Sequence, residues 1–272
     1  MTMTTLPDRA VVRVAGADAR PFLQGLLTND MDTLSATRPL FAGLLSPQGK
    51  ALFDMLLFAQ GDDILIDVAA VRAEALVRRL SMYRLRKSVT IAPTPLVVLA
   101  GWNGADGDGA DGDDTWASHT PDPRLAALGT RWIAESGPAG DTYTAHRLAH
   151  GVPDSPDIGE DQLLWLETGA DLLNGVSFTK GCYVGQENTA RMHHRDKVRR
   201  RLVPLAIAGD TVETIVLDAA GRSAGTLRSR HGSIGIAHLR LEAASGPLGI
   251  GGVPATALRP AWLAPALDAA AA

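Results

Sequence analysis

Apolar residues in the first hundred positions follow the spacing of strands in most places. Strands are predicted for the apolar runs at positions 10–14, 41–45, 51–58, 64–68, 89–91 and 96–99. The sequence Ser46-Pro47-Gln48-Gly49 predicts a tight turn between two of these runs, because Pro and Gly occupy positions that β-turns favour.

Two segments show helical spacing instead. Asp18 is expected to cap a helix whose apolar residues Phe22, Leu23, Leu26 and Leu27 share one face. A second helix is predicted over positions 71–85, with an apolar face formed by Val71, Ala75, Leu76, Leu80 and Tyr83. Strands on both sides of a helix, without regular alternation, favour an α+β fold over a doubly wound parallel sheet.

The second half of the chain has a different organisation. Aspartates and glycines fill positions 101–123 without the ligand spacing of an EF-hand, which predicts a solvated loop. A short helix is predicted over positions 141–149. From Leu202 onward, short apolar runs alternate with turns, as in a small antiparallel barrel.

Composition narrows the class of protein. Of 272 residues, 46% are hydrophobic and 21% are charged, which excludes a mainly disordered chain. The formal net charge of −4 argues against a dedicated nucleic-acid binder. No apolar run approaches the roughly 20 residues needed to cross a bilayer, and the first residues lack a signal sequence. We therefore expect a cytoplasmic protein without a membrane partner.

Cys182 is the only cysteine, so the chain forms no internal disulfide and no CxxC metal site. Glycines flank it at positions 181 and 185, and the ammonium of Lys180 is two residues away. A nearby cation favours the thiolate, which is both a nucleophile and a soft-metal ligand. The alternative is an inert buried cysteine that acts as a small apolar side chain.

Basic residues cluster between positions 191 and 201, with Asp196 as the one interruption. If the segment is helical, Arg191, Arg195 and Arg199 fall on one face and favour an anion site, although a solvated face is an equal alternative. His146 and His150 have helical spacing for a metal, but the acidic residue of an HExxH motif is missing. No Walker A motif or GxGxxG fingerprint precedes a predicted helix, which disfavours a nucleotide-binding fold.

The segment from Leu172 to Glu187 contains the run Lys180-Gly181-Cys182-Tyr183-Val184-Gly185-Gln186-Glu187. This run resembles the signature of the YgfZ family, folate-binding proteins linked to iron–sulfur cluster assembly and repair. The resemblance extends over nearly the whole chain. It includes Thr28-Asn29-Asp30, Ser46-Pro47-Gln48-Gly49-Lys50 with Asp54, Tyr83-Arg84-Leu85-Arg86-Lys87-Ser88-Val89, Arg147 with Gly151-Val152-Pro153, and Arg201-Leu202-Val203-Pro204.

The wider superfamily includes the glycine-cleavage T-protein, a tetrahydrofolate-dependent aminomethyltransferase. The resemblance implies an α+β ring of three subdomains around a folate-sized hole. It implies a folate-binding region over positions 1–200, with a second subdomain at roughly 47–120, and a C-terminal β-barrel over positions 201–272. It also assigns folate-binding residues: Glu167 for the pterin, either Arg200 or Arg201, and Asp54, Tyr183 and Gln186.

The implied function is tetrahydrofolate binding in support of iron–sulfur cluster assembly or repair. Cys182 and Lys180 would form the reactive pair, with Cys182 as one ligand of a transient cluster shared with a carrier or client protein. The alternative is a folate-dependent one-carbon transferase in which Asp54 lies near the folate nitrogen. The T-protein has two adjacent acids where this chain reads Phe53-Asp54, which weakens that alternative. A third interpretation is a non-catalytic scaffold that uses folate for stability.

Overall fold

A computed structural model describes residues 2–102, 119–194 and 198–271. These residues form fourteen β-strands and six α-helices, which confirms the predicted α+β class. The chain divides into two units of interleaved segments. Unit 1 comprises Met1–Leu45, Phe53–Tyr143 and Leu173–Val184, and unit 2 comprises Ser46–Leu52, Thr144–Leu172 and Gly185–Ala272. Most of the aspartate-rich stretch expected to be a loop lies outside the described residues.

Unit 1 is built on two β-sheets and two α-helices. The strands are β1 (Thr2–Thr5), β2 (Arg9–Ala15), β3 (Leu40–Leu45), β4 (Ala51–Gln60, most of it in this unit), β5 (Asp63–Ala69), β6 (Thr90–Pro93), β7 (Val97–Trp102) and β8 (Thr130–Ala134). The helices are α1 (Ala19–Gln24) and α2 (Ala73–Arg84). One sheet has the order β3-β4-β5-β2-β6 and the other β1-β7-β8. The strands predicted from the apolar runs are confirmed.

The two sheets share an apolar core. Its members include Val11 of β2, Leu65 of β5 and Val98 of β7, all buried together with Leu6 and Trp102. Strands β3, β4, β5 and β7 are buried along most of their length and are nearly continuous apolar runs, because both of their faces are covered.

A buried ion network lies inside unit 1. The Asp67 carboxylate accepts from Arg9 Nε at 2.6 Å and from Arg131 Nε at 2.7 Å. The side chains of Asp67 and Arg131 are fully buried. Two guanidinium groups thus share the Asp67 carboxylate in a region without solvent, and Asp122 Oδ2 lies farther from Arg131, at 4.0 Å.

Three expectations for the helices are wrong in detail. Asp18 precedes α1 but does not cap it, because its carboxylate accepts from Ser88 N at 2.7 Å instead. Helix α1 ends at Gln24, so Leu26 and Leu27 lie beyond it, although both are buried. Val71 is 93% exposed rather than on the apolar face of α2. It lies in a 3₁₀ turn that precedes the helix, where three residues per turn rotate it away from the buried face.

Unit 2 contains the predicted C-terminal barrel, which is closed and antiparallel. Its strands are β9 (Arg200–Ile207), β10 (Ile215–Asp218), β11 (Ser223–His231), β12 (Ile234–Arg240), β13 (Leu248–Ile250) and β14 (Val253–Ala257), in the order β10-β11-β12-β9-β14-β13. The helices are α3 (Tyr143–Ala149, whose first residue belongs to unit 1), α4 (Ser155–Ile158), α5 (Gln186–His194) and α6 (Ala264–Ala271). In the part of the chain that is described, no helix is long and apolar enough to span a bilayer.

Close strand packing positions His238 on the barrel. Gly225 of β11 pairs next to it, and a Cβ on Gly225 would lie 2.0 Å from the carbonyl oxygen of His238. A real Cβ cannot approach that closely, so only glycine fits at this crossing. The register of β12, and with it the place of His238, depends on this contact.

Candidate functional site

The segment from Asn174 to Gly185 forms neither helix nor strand and carries Cys182 on the surface of unit 1. We call this segment the signature loop. The Lys180 ammonium donates to three carbonyl oxygens, of Gln24 at 2.7 Å, Leu27 at 2.7 Å and Asn29 at 2.9 Å. Its three N–H groups are therefore all engaged, and they attach the signature loop to the end of α1.

The surroundings of Lys180 are unusual for a lysine. Burial lowers the pKa of the Lys180 ammonium to about 8, although the carboxylates of Asp30 and Asp32 favour the charged form. The ammonium also lies 5.2 Å from the centre of the buried Tyr183 ring. These contacts give Lys180 a positioning role in the loop. A direct effect of Lys180 that favours the thiolate of Cys182 stays a prediction.

A second set of hydrogen bonds joins the signature loop to the Thr28-Asn29-Asp30 motif. Thr28 Oγ1 donates to Gly175 O at 2.7 Å, and Ser177 N donates to Thr28 O at 3.0 Å. Asn29 Nδ2 donates to Asn174 O at 2.8 Å. Both motifs were identified in the sequence, but their spacing along the chain did not predict that they are in contact. Together with Lys180, these bonds hold the backbone that precedes Cys182.

The remaining folate-binding predictions in and near the loop fall in different places. Asp54 is buried on β4 in unit 1, and Tyr183 is buried in the signature loop. Gln186 is half-buried and begins α5 in unit 2. The folate roles of these three residues stay predictions.

A cavity of about 730 Å³ opens on unit 1 beside the signature loop. Its walls come from three stretches, within positions 29–41, 121–123 and 174–179. Phe41 and Phe178 supply apolar surface, while Asp30 and Arg38 supply opposite charges. The volume lies within the range of about 300–1,000 Å³ typical of small-molecule sites.

Glu167 lies in unit 2, in a 3₁₀ turn that places it beside the barrel. Its Oε2 accepts from Leu164 N at 3.2 Å and lies 3.6 Å from Nε2 of His238. The Nε2 atom of His238 is buried and makes no hydrogen bond within the described residues. Sequence reasoning missed His238, because 71 positions separate it from Glu167 and no local motif marks it.

The structure distinguishes the two candidate arginines. Arg200 is exposed at the start of β9, whereas Arg201 is buried. The Arg201 guanidinium donates two hydrogen bonds to Asp171, at 2.6 and 2.8 Å, and one to Leu166 O at 2.7 Å. Its Nε is buried and has no hydrogen-bond partner among the described residues. Arg201 is thus fixed in place near the turn that carries Glu167, while Arg200 faces solvent.

The basic run is not one helix face. Arg191 lies on α5 and forms an exposed ion pair with Glu187 at 2.7 Å, but Arg199 lies outside the helix. Arg195 and Lys197 lie outside the described residues. The expectation that Arg191 and Arg199 share a helix face is therefore wrong. Within the described residues, no group of three or more His, Cys, Asp or Glu side chains could hold a metal ion.

Known proteins resemble the barrel and the whole fold. Residues 199–265 match the family model for the CAF17 C-terminal beta-barrel domain. The crystal structure of glycine cleavage system aminomethyltransferase T from Bartonella henselae superposes with a TM-score of 0.71 and 15% identity. The superposition covers 94% of this chain and 84% of that one. It confirms the T-protein-like fold that the signature motif implied.

Closer relatives are identified by sequence. The chain is 36% identical over 281 residues to the mitochondrial iron-sulfur cluster assembly factor IBA57 of Homo sapiens, covering 90% of this chain and 79% of that protein. It is 34% identical over 306 residues to the Mus musculus protein of the same name, covering 96% and 85%. These relatives are named as mitochondrial, so the cytoplasmic location expected from the sequence is wrong. The extent and identity of these matches show that the chain belongs to the family of IBA57 iron–sulfur cluster assembly factors.

Proposed function

We propose that this protein supports iron–sulfur cluster assembly by offering Cys182 as a cluster ligand to a partner protein. The observation that carries the proposal is the exposed thiol of the chain's only cysteine, next to an anchored backbone. Cluster irons normally take four thiolates, so one cysteine holds a cluster only when a partner supplies the other ligands. The role named for the relatives and the resemblance to the YgfZ signature both agree with this function.

Ligation at Cys182 is a ligand exchange rather than a redox step. The thiol loses its proton to solvent, its sulfur binds an iron, and that iron gives up one ligand of the donor protein. An anchored loop favours this exchange, because less conformational freedom is lost when the thiolate is held on the cluster. Lys180, Thr28 and Asn29 would contribute by keeping the loop in one conformation.

We also propose that tetrahydrofolate binds with its pterin at Glu167 and His238. The residues fit such a group. Among the described residues, the carboxylate of Glu167 accepts one hydrogen bond, from Leu164 N, and the buried Nε2 of His238 has no hydrogen-bond partner. A pterin edge offers both donors and acceptors to such a pair. When bound, tetrahydrofolate supplies a reduced pterin that carries one-carbon units.

The cysteine proposal is tested by comparing Cys182→Ser with Thr179→Ala, an exposed control on the same loop. Each variant is mixed anaerobically with a [2Fe–2S]-loaded carrier protein, and visible circular dichroism follows cluster ligation. We expect the wild type and the control to change the cluster spectrum and Cys182→Ser to leave it unchanged. Cells that lack their own copy of this protein should regain activity of a [4Fe–4S] enzyme with the wild type and with the control, and not with Cys182→Ser.

Two results would overturn the proposal. One is a Cys182→Ser variant that changes the cluster spectrum and restores the client enzyme as the wild type does. The other is catalytic turnover of methylated amines with tetrahydrofolate by both proteins, which would make the chain a one-carbon transferase. Thermal melts of all variants check that the fold is kept, and iodoacetamide labelling of the native wild type checks that the thiol is accessible.

A further inference from the structure

The end of α2 and the loop after it expose an apolar and basic surface on unit 1. Leu85 is 86% exposed and Met82 is 64% exposed. Positions 72–87 contain six basic residues and one acidic residue, although the whole chain has a net charge of −4. We call Met82 together with positions 84–87 the α2 knob. It corresponds to the helix-to-strand motif, which the proposed function leaves unused.

The backbone of the α2 knob is strained at its most exposed apolar residue. Leu85 has φ of 45° and ψ of −115°, a left-handed conformation that a leucine rarely adopts. The following residues are held in place, because Ser88 N donates to Asp18 Oδ2 at 2.7 Å and Val89 is buried. Strained residues of this kind concentrate where function requires a fixed geometry. The turn thus presents the large apolar side chain of Leu85 to solvent.

The cations around Leu85 are not balanced by neighbouring acids. The one acidic residue of the segment, Glu74, pairs with Arg78 at 3.4 Å on the preceding turns of α2. Arg84, Arg86 and Lys87 are exposed and form no ion pair within the described residues. Three unpaired cations around one apolar side chain are complementary to a carboxylate-rimmed apolar pocket.

We propose that the α2 knob is a docking surface for a partner protein with an acidic surface, into which Leu85 inserts. A membrane is disfavoured because the apolar face of α2, with Leu76 and Leu80, is already buried in the core. An interfacial helix needs that face free for lipid. Nucleic acid is disfavoured because the most exposed side chains, Leu85 and Met82, are apolar and make no bond to phosphate.

The test begins with a photoreactive benzoylphenylalanine in place of Leu85, introduced into protein made in cells. The control carries it in place of Val212, which is 97% exposed in unit 2. A protein that cross-links at position 85 but not at position 212 is purified, and its affinity for the uncross-linked wild type is measured by calorimetry. The Cys182→Ser variant should bind it equally well, which separates this surface from the proposed cluster chemistry.

Charge-matched variants then decide the chemistry. Arg84→Glu with Arg86→Glu should weaken binding about tenfold or more, and the affinity of the wild type should fall as salt rises. The control pair Arg222→Glu with Arg259→Glu makes the same change in net charge on unit 2 and should bind as the wild type does. Leu85→Gly should melt at the same or a higher temperature, because glycine relieves the positive φ, yet bind more weakly.

Several outcomes would overturn the proposal. They are the lack of a position-specific cross-link, or binding that the charge reversal leaves unchanged. A loss of stability in Leu85→Gly would make the leucine a structural residue. Binding to phosphatidylserine vesicles or to a DNA duplex that depends on Arg84 and Arg86 would reassign the surface to a membrane or to nucleic acid.

Discussion

Replacement of Asp67 by Asn should destabilise the protein severely, although Asp67 touches no proposed ligand. The variant removes the negative charge that Arg9 and Arg131 share inside unit 1. Burial alone would lower the pKa of the Arg131 guanidinium, but the attraction of Asp67 raises it above its ordinary value. Arg131 therefore remains charged, and the variant removes its nearer carboxylate, leaving only Asp122 at 4.0 Å among the described acids.

The magnitude follows from the contacts. The Asn side chain keeps one acceptor oxygen, so one charge-assisted hydrogen bond worth about 1.5–3 kcal/mol is lost and the other becomes a weaker bond to a neutral acceptor. Removing the negative partner of a buried ion pair costs about 3–5 kcal/mol in all. Because domains are stable by only about 5–15 kcal/mol, the variant should lie close to the limit of folding.

Urea unfolding at 25 °C, followed by circular dichroism and tryptophan fluorescence, measures the change. Glu74→Gln is the matched control, since it breaks the exposed Glu74–Arg78 pair and should cost only about 0.3–0.5 kcal/mol. If Asp67→Asn does not fold, the triple variant Arg9→Met, Asp67→Leu, Arg131→Met should recover much of the stability by replacing the charges with apolar contacts. A loss for Asp67→Asn as small as that of the control would refute the reasoning.

Three further predictions concern the signature loop and the barrel. The pKa of Lys180 is about 8 in the folded protein and its ordinary value is 10.5, so the unfolded chain binds more protons between these pH values and the free energy of unfolding should rise with pH across that interval. Lys180→Met should remove this rise. Urea titrations at several pH values measure it, and the same pH dependence in Lys180→Met as in the wild type would contradict the prediction. Glu167→Gln should weaken tetrahydrofolate binding about tenfold or more, as measured by anaerobic calorimetry, whereas equal affinity would remove Glu167 from the site. Gly225→Ala should lower the melting temperature, because the new Cβ would press against the carbonyl oxygen of His238. An unchanged melting temperature would show that the two strands can move apart without loss of stability.

Sequence patterning predicted elements well where burial alone decided them. The apolar runs became strands because both sheets of unit 1 bury them, and the barrel followed from short strands and turns. Sequence patterning failed at two residues. A 3₁₀ turn rotates Val71 toward solvent. The carboxylate of Asp18 accepts a hydrogen bond from the distant Ser88 N instead of capping α1. Local spacing carries no information on such partners.

The candidate site was likewise predicted where a local motif marks it and missed where distant residues form it. The signature motif identified Cys182, but the role of Lys180 depends on carbonyl groups more than 150 positions earlier in the chain. The choice between Arg200 and Arg201 required the three-dimensional structure, in which β9 begins exposed at Arg200 and is buried from Arg201 onward, beside Asp171. His238 could not be found at all, because its only link to Glu167 is proximity in space.

The attachment of the signature loop to α1 has a consequence for how the protein is made. Lys180 lies 156 positions after Gln24, whose carbonyl oxygen it bonds. At about 5–20 residues per second, a ribosome needs on the order of ten to thirty seconds to synthesise the chain between them. During that time the hydrogen bond between Lys180 and the end of α1 cannot form. The Cys182 thiol, which follows Lys180 by two residues, is therefore synthesised only after most of unit 1.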